Sequence, residues 1–267
     1  QNSSEFGLTG GLHSLDPDEI EQWREGVEVG NAYINRTTTG AIVQRQPFGG
    51  WKNSVTGPGA KAGGPNYVAS LCDWHETGLP KQHRSRTGDA EFGDLPKVLS
   101  DEQRQHVLAA AESYQFWHDE YFSQSHDPSN LHGETNHFRY RPRAWHLIRV
   151  QTGQDALVAI SRAAMACQIL GVELSISCAA RESWLDEWLG ARCTVESDQE
   201  LATRLAQTSG GILRIIGPYD PKTFAPSVIG NIPMVRSEVL GNGRIELLNY
   251  LREQSMTEIV HRYGNII

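Results

Sequence analysis

The stretch that decides the fold is GNAYINRTTTGAIVQRQPFGGWKNSVTGPGAKAGGPNY, residues 30–67. It contains eight glycines and three prolines in 38 residues. This composition excludes a regular helix, because glycine loses much backbone entropy on folding and has no side chain to pack. Glycine also lets bare backbone N–H groups approach a ligand, and consecutive amides can form a concave site for an anion. The segment is therefore predicted to be a loop that contacts a small ligand.

Four short motifs in this segment carry a family resemblance. They are N-A-Y-I-N-R (31–36), T-T-G-A (38–41), Q-P-F-G-G (46–50) and K-A-G-G-P-N-Y (61–67). In order and spacing they resemble the aldehyde dehydrogenase superfamily. Within it they are most similar to the 1-pyrroline-5-carboxylate (L-glutamate γ-semialdehyde) dehydrogenases of proline catabolism, including the fused proline utilization A enzymes. For the complete enzyme this resemblance implies NAD-dependent oxidation of L-glutamate γ-semialdehyde to L-glutamate.

The resemblance also implies substrate-binding residues. In these dehydrogenases the loop after P-F-G-G binds the α-carboxylate of the substrate through backbone amides. Carried over by position, Gly63 and Gly64 are the expected amide donors, and Phe48 is the expected aromatic lining of the aldehyde tunnel. Charge-assisted amide–carboxylate bonds are strong, and glycine leaves room for them. The alternative is that both glycines only form a tight turn, and the longer segment 56–60 leaves the exact donors open.

The groups that perform the chemistry are not expected in this chain. An aldehyde dehydrogenase needs a thiolate nucleophile, a hydride acceptor and a carboxylate that activates water. In the family, the nucleophilic cysteine, the general-base glutamate and the cofactor motif lie upstream of the P-F-G-G loop, and this sequence begins after them. We therefore expect no catalytic, cofactor-binding or metal-binding residue here, and no dehydrogenase activity from this chain alone. Cys178 has small neighbours like the family cysteine, but it lacks the preceding glycine and glutamine, so a structural thiol is favoured.

Composition excludes several classes of partner. The chain is 39% hydrophobic and 21% charged, as in ordinary globular proteins. Its net charge of −8 argues against nucleic acid and anionic membranes. No apolar run is long enough for a membrane span and no signal peptide opens the chain, so a cytoplasmic protein is expected. The absence of an initial methionine suggests a piece of a longer protein.

Neither cysteine nor histidine spacing points to a metal. The cysteines are widely spaced and are predicted to be buried free thiols. They are Cys72, Cys167, Cys178 and Cys193. Four histidines lie close in sequence, but no pair falls at i, i+4 on a clear helix, so scattered histidines are favoured over a metal site. They are His126, His132, His137 and His146.

Periodicity and capping residues predict the local elements. Helices are expected at 16–26, 100–122, 155–170, 182–189, 198–207 and within 244–261, and strands at 31–35, 41–45, 146–150, 172–177 and 212–216. Asp16 and Ser100 are the expected N-caps, Ile20 and Trp23 are expected to face the core, and the apolar stripe of the 100–122 helix is expected to be core. Strands that alternate with helices predict an α/β fold with a parallel sheet.

The predicted organisation has three parts: residues 1–75 complete the catalytic domain, 76–99 form an exposed linker, and 100–267 form a second domain. R-V-Q-T-G (149–153) resembles the start of the family's Rossmann-type cofactor domain. G-E-T-N (133–136) and R-E-Q-S (252–255) are similar to the C-terminal domain of long proline utilization A enzymes, a degenerate aldehyde-dehydrogenase-like lid. The turn 151–155 has one glycine and an acid at its end, so no NAD is expected on this chain.

Two functional interpretations remain open at this point. In the first, the partners are the remainder of the aldehyde dehydrogenase chain, a fused proline dehydrogenase domain where one is present, and further copies in a homo-oligomer. In the second, the chain is a free-standing non-catalytic oligomerisation or docking module. The coding sequence upstream of Gln1 discriminates between them.

Overall fold

The computed structural model describes residues 1–81, 95–151, 156–180, 182–225, 227–230 and 232–260. These residues form two compact units. The first contains 1–72, 122–141 and 252–260, and the second contains the described parts of 73–121 and 142–251. Both units combine helices with parallel strand pairs, which confirms the predicted α/β class.

The described residues contain eleven strands and six α-helices. The strands are β1 Phe6–Gly7, β2 Thr9–Leu12, β3 Asn31–Ile34, β4 Trp51–Lys52, β5 Glu134–Pro142, β6 Trp145–Val150, β7 Glu173–Cys178, β8 Cys193–Val195, β9 Ile212–Ile216, β10 Met234–Val235 and β11 Leu251–Ile259. The helices are α1 Pro17–Gly26, α2 Asp101–Trp117, α3 Leu157–Leu170, α4 Ser183–Leu189, α5 Asp198–Leu205 and α6 Gly243–Glu246. None of the described helices is long and apolar enough to cross a bilayer.

The first unit is built on a four-stranded sheet with the order β2–β3–β11–β5. The central strand β3 pairs in parallel with β2 and with β11. Helix α1 starts as predicted, because the Asp16 side chain accepts hydrogen bonds from the first backbone amides and Pro17 occupies the first turn. Ile20 and Trp23 pack against the apolar cluster of this unit, as predicted.

The second unit contains a five-stranded parallel sheet with the order β10–β9–β6–β7–β8. The first strand in the chain, β6, lies at the centre, and the chain winds outward from it on both sides, as in doubly wound folds. The predicted strands at 146–150, 172–177 and 212–216 are confirmed, as are the helices at 182–189 and 198–207. Helix α3 is nearly all buried and ends at Gly171, which has a φ of 65°.

Helix α2 confirms the predicted capping box. The Ser100 hydroxyl accepts a hydrogen bond from the Gln103 amide, and the Gln103 side chain accepts one from the Ser100 amide. On its apolar stripe, Val107, Ala111 and Tyr114 are fully buried, so the stripe is core. A single π-helical turn, His118–Phe122, follows the helix.

One predicted element is wrong, and another is confirmed only in part. Residues 41–45 form a turn rather than a strand; the Ile42 amide donates to the Gln46 side chain, and Gln44 has a φ of 67°. Of the helix expected within 244–261, only α6 is present, and β11 occupies most of the rest. The β11 segment is a strand rather than a helix because pairing with β3 satisfies its backbone N–H and C=O groups. The local periodicity of the sequence does not show this pairing.

The compact units do not follow the predicted division at 76–99. Because β5 and β11 join the sheet of β2 and β3, residues 122–141 and 252–260 group with the first 72 residues instead of with the second domain. The motif at 133–136 lies against the P-F-G-G loop, where the Gln46 side chain donates to Asn136 Oδ1 at 2.6 Å and to Glu134 at 3.2 Å. Most of the predicted linker, residues 82–94, lies outside the described residues.

Candidate functional site

The two motifs that resemble the substrate loop lie side by side in the first unit. The Phe48 amide donates to the Ala62 carbonyl at 2.9 Å, and the Ala62 amide donates back to the Phe48 carbonyl at 3.0 Å. This antiparallel bridge joins residues 46–50 to residues 61–64. The Phe48 side chain is 39% exposed, so its ring is available to a ligand.

Residues 61–64 form a tight β-turn. The Gly64 amide donates to the Lys61 carbonyl at 2.9 Å, and Gly63 has a φ of +75°, as the third position of a type II turn requires. The Gly64 amide is therefore committed to the turn, which corrects its expected role as a donor. The Gly63 amide has no acceptor among the described residues, so Gly63 stays the predicted donor.

Both glycines are required by the packing of this turn. A Cβ atom on Gly64 would lie 2.9 Å from the Lys61 carbonyl oxygen, closer than real contacts of this kind. A Cβ atom on Gly63 would lie 3.1 Å from Val43 and would also sit on a backbone that non-glycine residues rarely adopt. The tight-turn interpretation therefore holds for both glycines, and the amide-donor role of Gly63 stays a prediction.

Lys61 is buried beneath the turn, which the sequence did not reveal. Its side chain is 2% exposed. The ammonium donates to Asn31 Oδ1 at 2.9 Å and to the Gly49 carbonyl at 2.5 Å. Burial lowers the pKa of Lys61 to about 7, although the negative charge of Glu253 acts to raise that pKa. A lysine in a glycine-rich loop is normally solvated, so local sequence gave no indication of this contact.

Glu253, on strand β11, reaches the same turn from far along the chain. Its carboxylate accepts hydrogen bonds from the Lys61 amide at 2.7 Å and from the Asn66 side chain at 2.6 Å. Its backbone carbonyl accepts one from the Trp51 indole at 2.8 Å. Sequence reasoning missed this residue because 192 positions separate it from Lys61.

The cysteines occupy different environments. Cys167 and Cys178 are buried as predicted, Cys193 is half-buried, and Cys72 is exposed, which contradicts the prediction for that thiol. The sulfur atoms of Cys178 and Cys193 lie 3.5 Å apart on neighbouring strands as free thiols. Burial raises the pKa of the Cys167 thiol well above its usual range. Cys178 is 3% exposed at the end of β7, a position suited to packing.

Among the described residues, no group of three or more histidine, cysteine or acidic side chains could hold a metal ion. His146 is fully buried and stacks on Tyr250, with ring centroids 4.3 Å apart. Neither of its ring nitrogens has a hydrogen-bond partner in the described part of the chain. Burial, together with the nearby Arg214, lowers the pKa of His146 well below its usual value.

In the second unit, protein side chains fill the carboxyl ends of strands β6 and β7. The Arg149 guanidinium is 1% exposed and pairs with Asp198 at 2.7 Å. It also donates to the Ser177 hydroxyl at 2.8 Å and to the Glu196 carbonyl at 2.8 Å. In doubly wound folds this edge of the sheet is where ligands bind. The predicted turn at 151–155 lies almost entirely outside the described residues.

Comparison with known proteins identifies the superfamily. Residues 1–76 match the model of the aldehyde dehydrogenase family. Two curated relatives, from Bacillus thuringiensis (strain Al Hakam) and Bacillus mycoides (strain KBAB4), are both named 1-pyrroline-5-carboxylate dehydrogenase. Each is 53% identical over 68 residues, which are 26% of this chain and 13% of the relative. Residues 1–76 are therefore similar to the aldehyde dehydrogenase family, and within it to 1-pyrroline-5-carboxylate dehydrogenases.

A solved structure extends the similarity to the whole chain. Proline Utilization A (PutA) from Corynebacterium freiburgense matches 100% of this chain and 24% of its own, with a TM-score of 0.72 and 38% sequence identity. The chain is thus PutA-like within the superfamily, which confirms the resemblance found in the sequence. It spans about a quarter of that PutA and about an eighth of the curated relatives.

Proposed function

We propose that this chain is part of an NAD-dependent dehydrogenase that oxidises L-glutamate γ-semialdehyde to L-glutamate in proline catabolism. In this proposal the first unit supplies the turn that binds the substrate carboxylate, and the second unit is a non-catalytic lid. The names of the similar proteins, 1-pyrroline-5-carboxylate dehydrogenase and Proline Utilization A, support the reaction class. Cytoplasmic location, a homo-oligomer and a fused proline dehydrogenase domain belong to the same proposal.

One observation carries the proposal for the first unit. The Phe48–Ala62 bridge pairs Phe48, whose side chain is exposed, with the residue that precedes Gly63, and the Gly63 amide has no acceptor among the described residues. An amide in this position can donate to a carboxylate, while the ring packs against the aliphatic part of the same small molecule. A small amino acid with a free carboxylate fits this pair of contacts.

The chemical step requires groups outside this chain. When bound, NAD supplies the hydride acceptor, and the thiolate and the general base come from the remainder of the enzyme in this proposal. The residues present here bind and orient: Gly63 fixes one end of the substrate, and Phe48 limits the path of the aldehyde end. Holding the reactant in one orientation contributes to the rate without any bond being made by these residues.

The lid proposal for the second unit is supported by the Arg149 cluster. Its guanidinium bonds to Asp198, Ser177 and Glu196 at the edge of the sheet where a nucleotide would bind. An arginine that is neutralised by protein groups offers no free charge to a pyrophosphate. A domain of this kind contributes by covering a site and excluding water.

A titration tests carboxylate binding directly. In the uniformly ¹⁵N-labelled chain, L-glutamate is expected to shift the Gly63 amide resonance in a saturable way. Gly63→Ala strains the turn and should weaken binding about ten- to hundredfold, the range that a hydrogen bond to a charged group contributes. Gly40→Ala is the matched control, because Gly40 has a φ of +77° and open space around it.

Two results would contradict the proposal. If L-glutamate leaves the Gly63 amide unmoved, the turn does not bind a carboxylate, and the non-catalytic module becomes the better interpretation. If Gly40→Ala weakens binding as much as Gly63→Ala, the loss reflects general strain in the loop rather than displacement of the Gly63 amide by strain in its own turn.

A further inference from the structure

We propose that Glu253 is a positioning residue for the carboxylate-binding turn, so that substrate affinity depends on a strand at the far end of the chain. This inference rests on the proposed function of the turn. Glu253 does not contact the substrate in this proposal; it acts through Lys61 and Asn66, which flank the two glycines.

The Glu253 carboxylate holds both sides of the turn at once. One oxygen accepts from the amide of Lys61, the first residue of the turn, and the other accepts from the side chain of Asn66, two residues after the turn. Glu253 is 8% exposed and Asn66 is 2% exposed, so solvent does not compete for these bonds. A single side chain therefore fixes the two ends of segment 61–66 at a set separation.

The strand that carries Glu253 is itself held in place. Strand β11 pairs in parallel with β3, with Ser255 opposite Asn31. The Glu253 carbonyl accepts a hydrogen bond from the Trp51 indole N–H, and the Ser255 hydroxyl donates one to the Pro47 carbonyl at 2.6 Å. The strand thus contacts the loop 47–51 as well as the turn. Both halves of the proposed binding surface, around Phe48 and around Gly63, are attached to it.

Lys61 completes the connection from the side of the turn. Its ammonium bonds to Asn31 and to the Gly49 carbonyl, and the negative charge of Glu253 raises its pKa. The Asn31 side chain in turn accepts from the Gly49 amide at 3.1 Å and donates to the Pro47 carbonyl at 3.1 Å. This network fixes residues 47–49 relative to the turn at 61–64.

Such support has a functional consequence because the turn is rich in glycine. A free segment of this composition samples many conformations, and a ligand that binds it must order it at a cost in free energy. Bonds from Glu253 order the segment before the ligand arrives, so the Gly63 amide keeps one direction. Loss of the carboxylate should therefore lower affinity even though the donor itself is unchanged.

The test uses Glu253→Ala, Glu253→Gln and a control on the same strand. We expect Glu253→Ala to weaken L-glutamate binding at least tenfold and to shift the free-state amide resonances of Lys61 and Gly63. Glu253→Gln keeps one oxygen acceptor and should restore part of the affinity. Gln254→Ala is the control, because buried Gln254 bonds to the carbonyls of Val27 and Val29 and not to the turn. It should leave binding unchanged.

A second readout reports the contact without any ligand. Because the Glu253 charge raises the pKa of Lys61, Glu253→Gln should move that pKa below its value of about 7, measured from the Lys61 side-chain resonances. A residue that merely stabilises the sheet would not change this value. Circular dichroism checks that each variant is folded, and Glu253→Gln carries the test if Glu253→Ala does not fold.

The outcomes separate this inference from the proposed function. If the wild-type chain binds L-glutamate and both Glu253 variants bind it equally well, the positioning role is overturned while carboxylate binding stands. If the wild-type chain does not bind L-glutamate, carboxylate binding fails. The role of Glu253 in substrate affinity then falls with it, and the free protein decides only whether Glu253 orders the turn. It does so if the Gly63 amide resonance shifts in Glu253→Ala and not in Gln254→Ala, and it does not if that resonance is unmoved.

Discussion

Both units bury charged side chains, but the surroundings of those charges differ. In the first unit, Lys61 and Glu253 lie beneath a turn whose residues Ala62 and Pro65 are exposed. In the second unit, Arg214 and Glu246 are paired at 2.5 Å and both are completely enclosed. The first arrangement supports a surface turn, whereas the second lies in the interior of its unit. Buried charge by itself therefore does not mark a functional site, because one of these two pairs lies wholly inside its unit.

The enclosed pair also makes many hydrogen bonds, although the Arg214 Nε atom has no partner among the described residues. Glu246 accepts from the Leu240 amide and from the Tyr250 hydroxyl, each at 3.0 Å, in addition to Arg214. Arg214 donates to the carbonyls of Ser237 and Glu238 as well. These contacts leave no face of the pair toward solvent, so its contribution should be to stability alone.

The largest effect should come from breaking this enclosed pair. Arg214→Leu leaves the Glu246 carboxylate buried without its partner, and we expect the free energy of unfolding of the second unit to fall by about 3–5 kcal/mol. Urea denaturation followed by circular dichroism measures the change. The control is Arg204→Leu, which removes a half-exposed ion pair with Glu196 and should cost about 0–1 kcal/mol. Equal losses in the two variants would show that complete burial of the Arg214–Glu246 pair does not increase its contribution to the free energy of unfolding.

A smaller effect should appear in the first unit at alkaline pH. The folded pKa of Lys61 is about 7, below its ordinary value of about 10.4, so between these values only the unfolded chain binds the proton. The stability of the first unit should then rise with pH by about 1.4 kcal/mol per pH unit from this one group. Lys61→Met should remove that rise in denaturation curves between pH 7 and pH 9. An unchanged slope in the variant would contradict burial of the ammonium.

The smallest effect concerns His146 in the second unit, where the same physical cause acts in a different pH window. The pKa of His146 is lowered by burial, so below about pH 6.5 the unfolded chain binds a proton that the folded unit does not. Stability should therefore fall by up to about 1.4 kcal/mol per pH unit as the pH drops from 6.5 toward 5.5, and be unaffected above that window. His146→Phe, which keeps the ring against Tyr250, should reduce this slope.

The elements that could be predicted were those with local causes. Asp16 and Ser100 begin their helices with side-chain caps, and the apolar runs at 146–150 and 212–216 form adjacent parallel strands, because caps and buried strands depend on neighbours in sequence. The prediction of a strand at 41–45 was wrong, because a short apolar run fits a turn equally well. Strand β11 was missed because its pairing partner, β3, lies near the other end of the chain.

The candidate site divides in the same way. The four motifs at 31–36, 38–41, 46–50 and 61–67 together pointed to the superfamily, and the last two pointed to Phe48, Gly63 and Gly64. They could not show that the Gly64 amide closes a turn, that Lys61 is buried, or that Glu253 joins the turn, because each depends on atoms brought together by folding. The sequence by itself determined which short segments bend, cap or run extended. Only the tertiary structure decided which distant groups meet, since hydrogen bonds and desolvation depend on proximity in space and not along the chain.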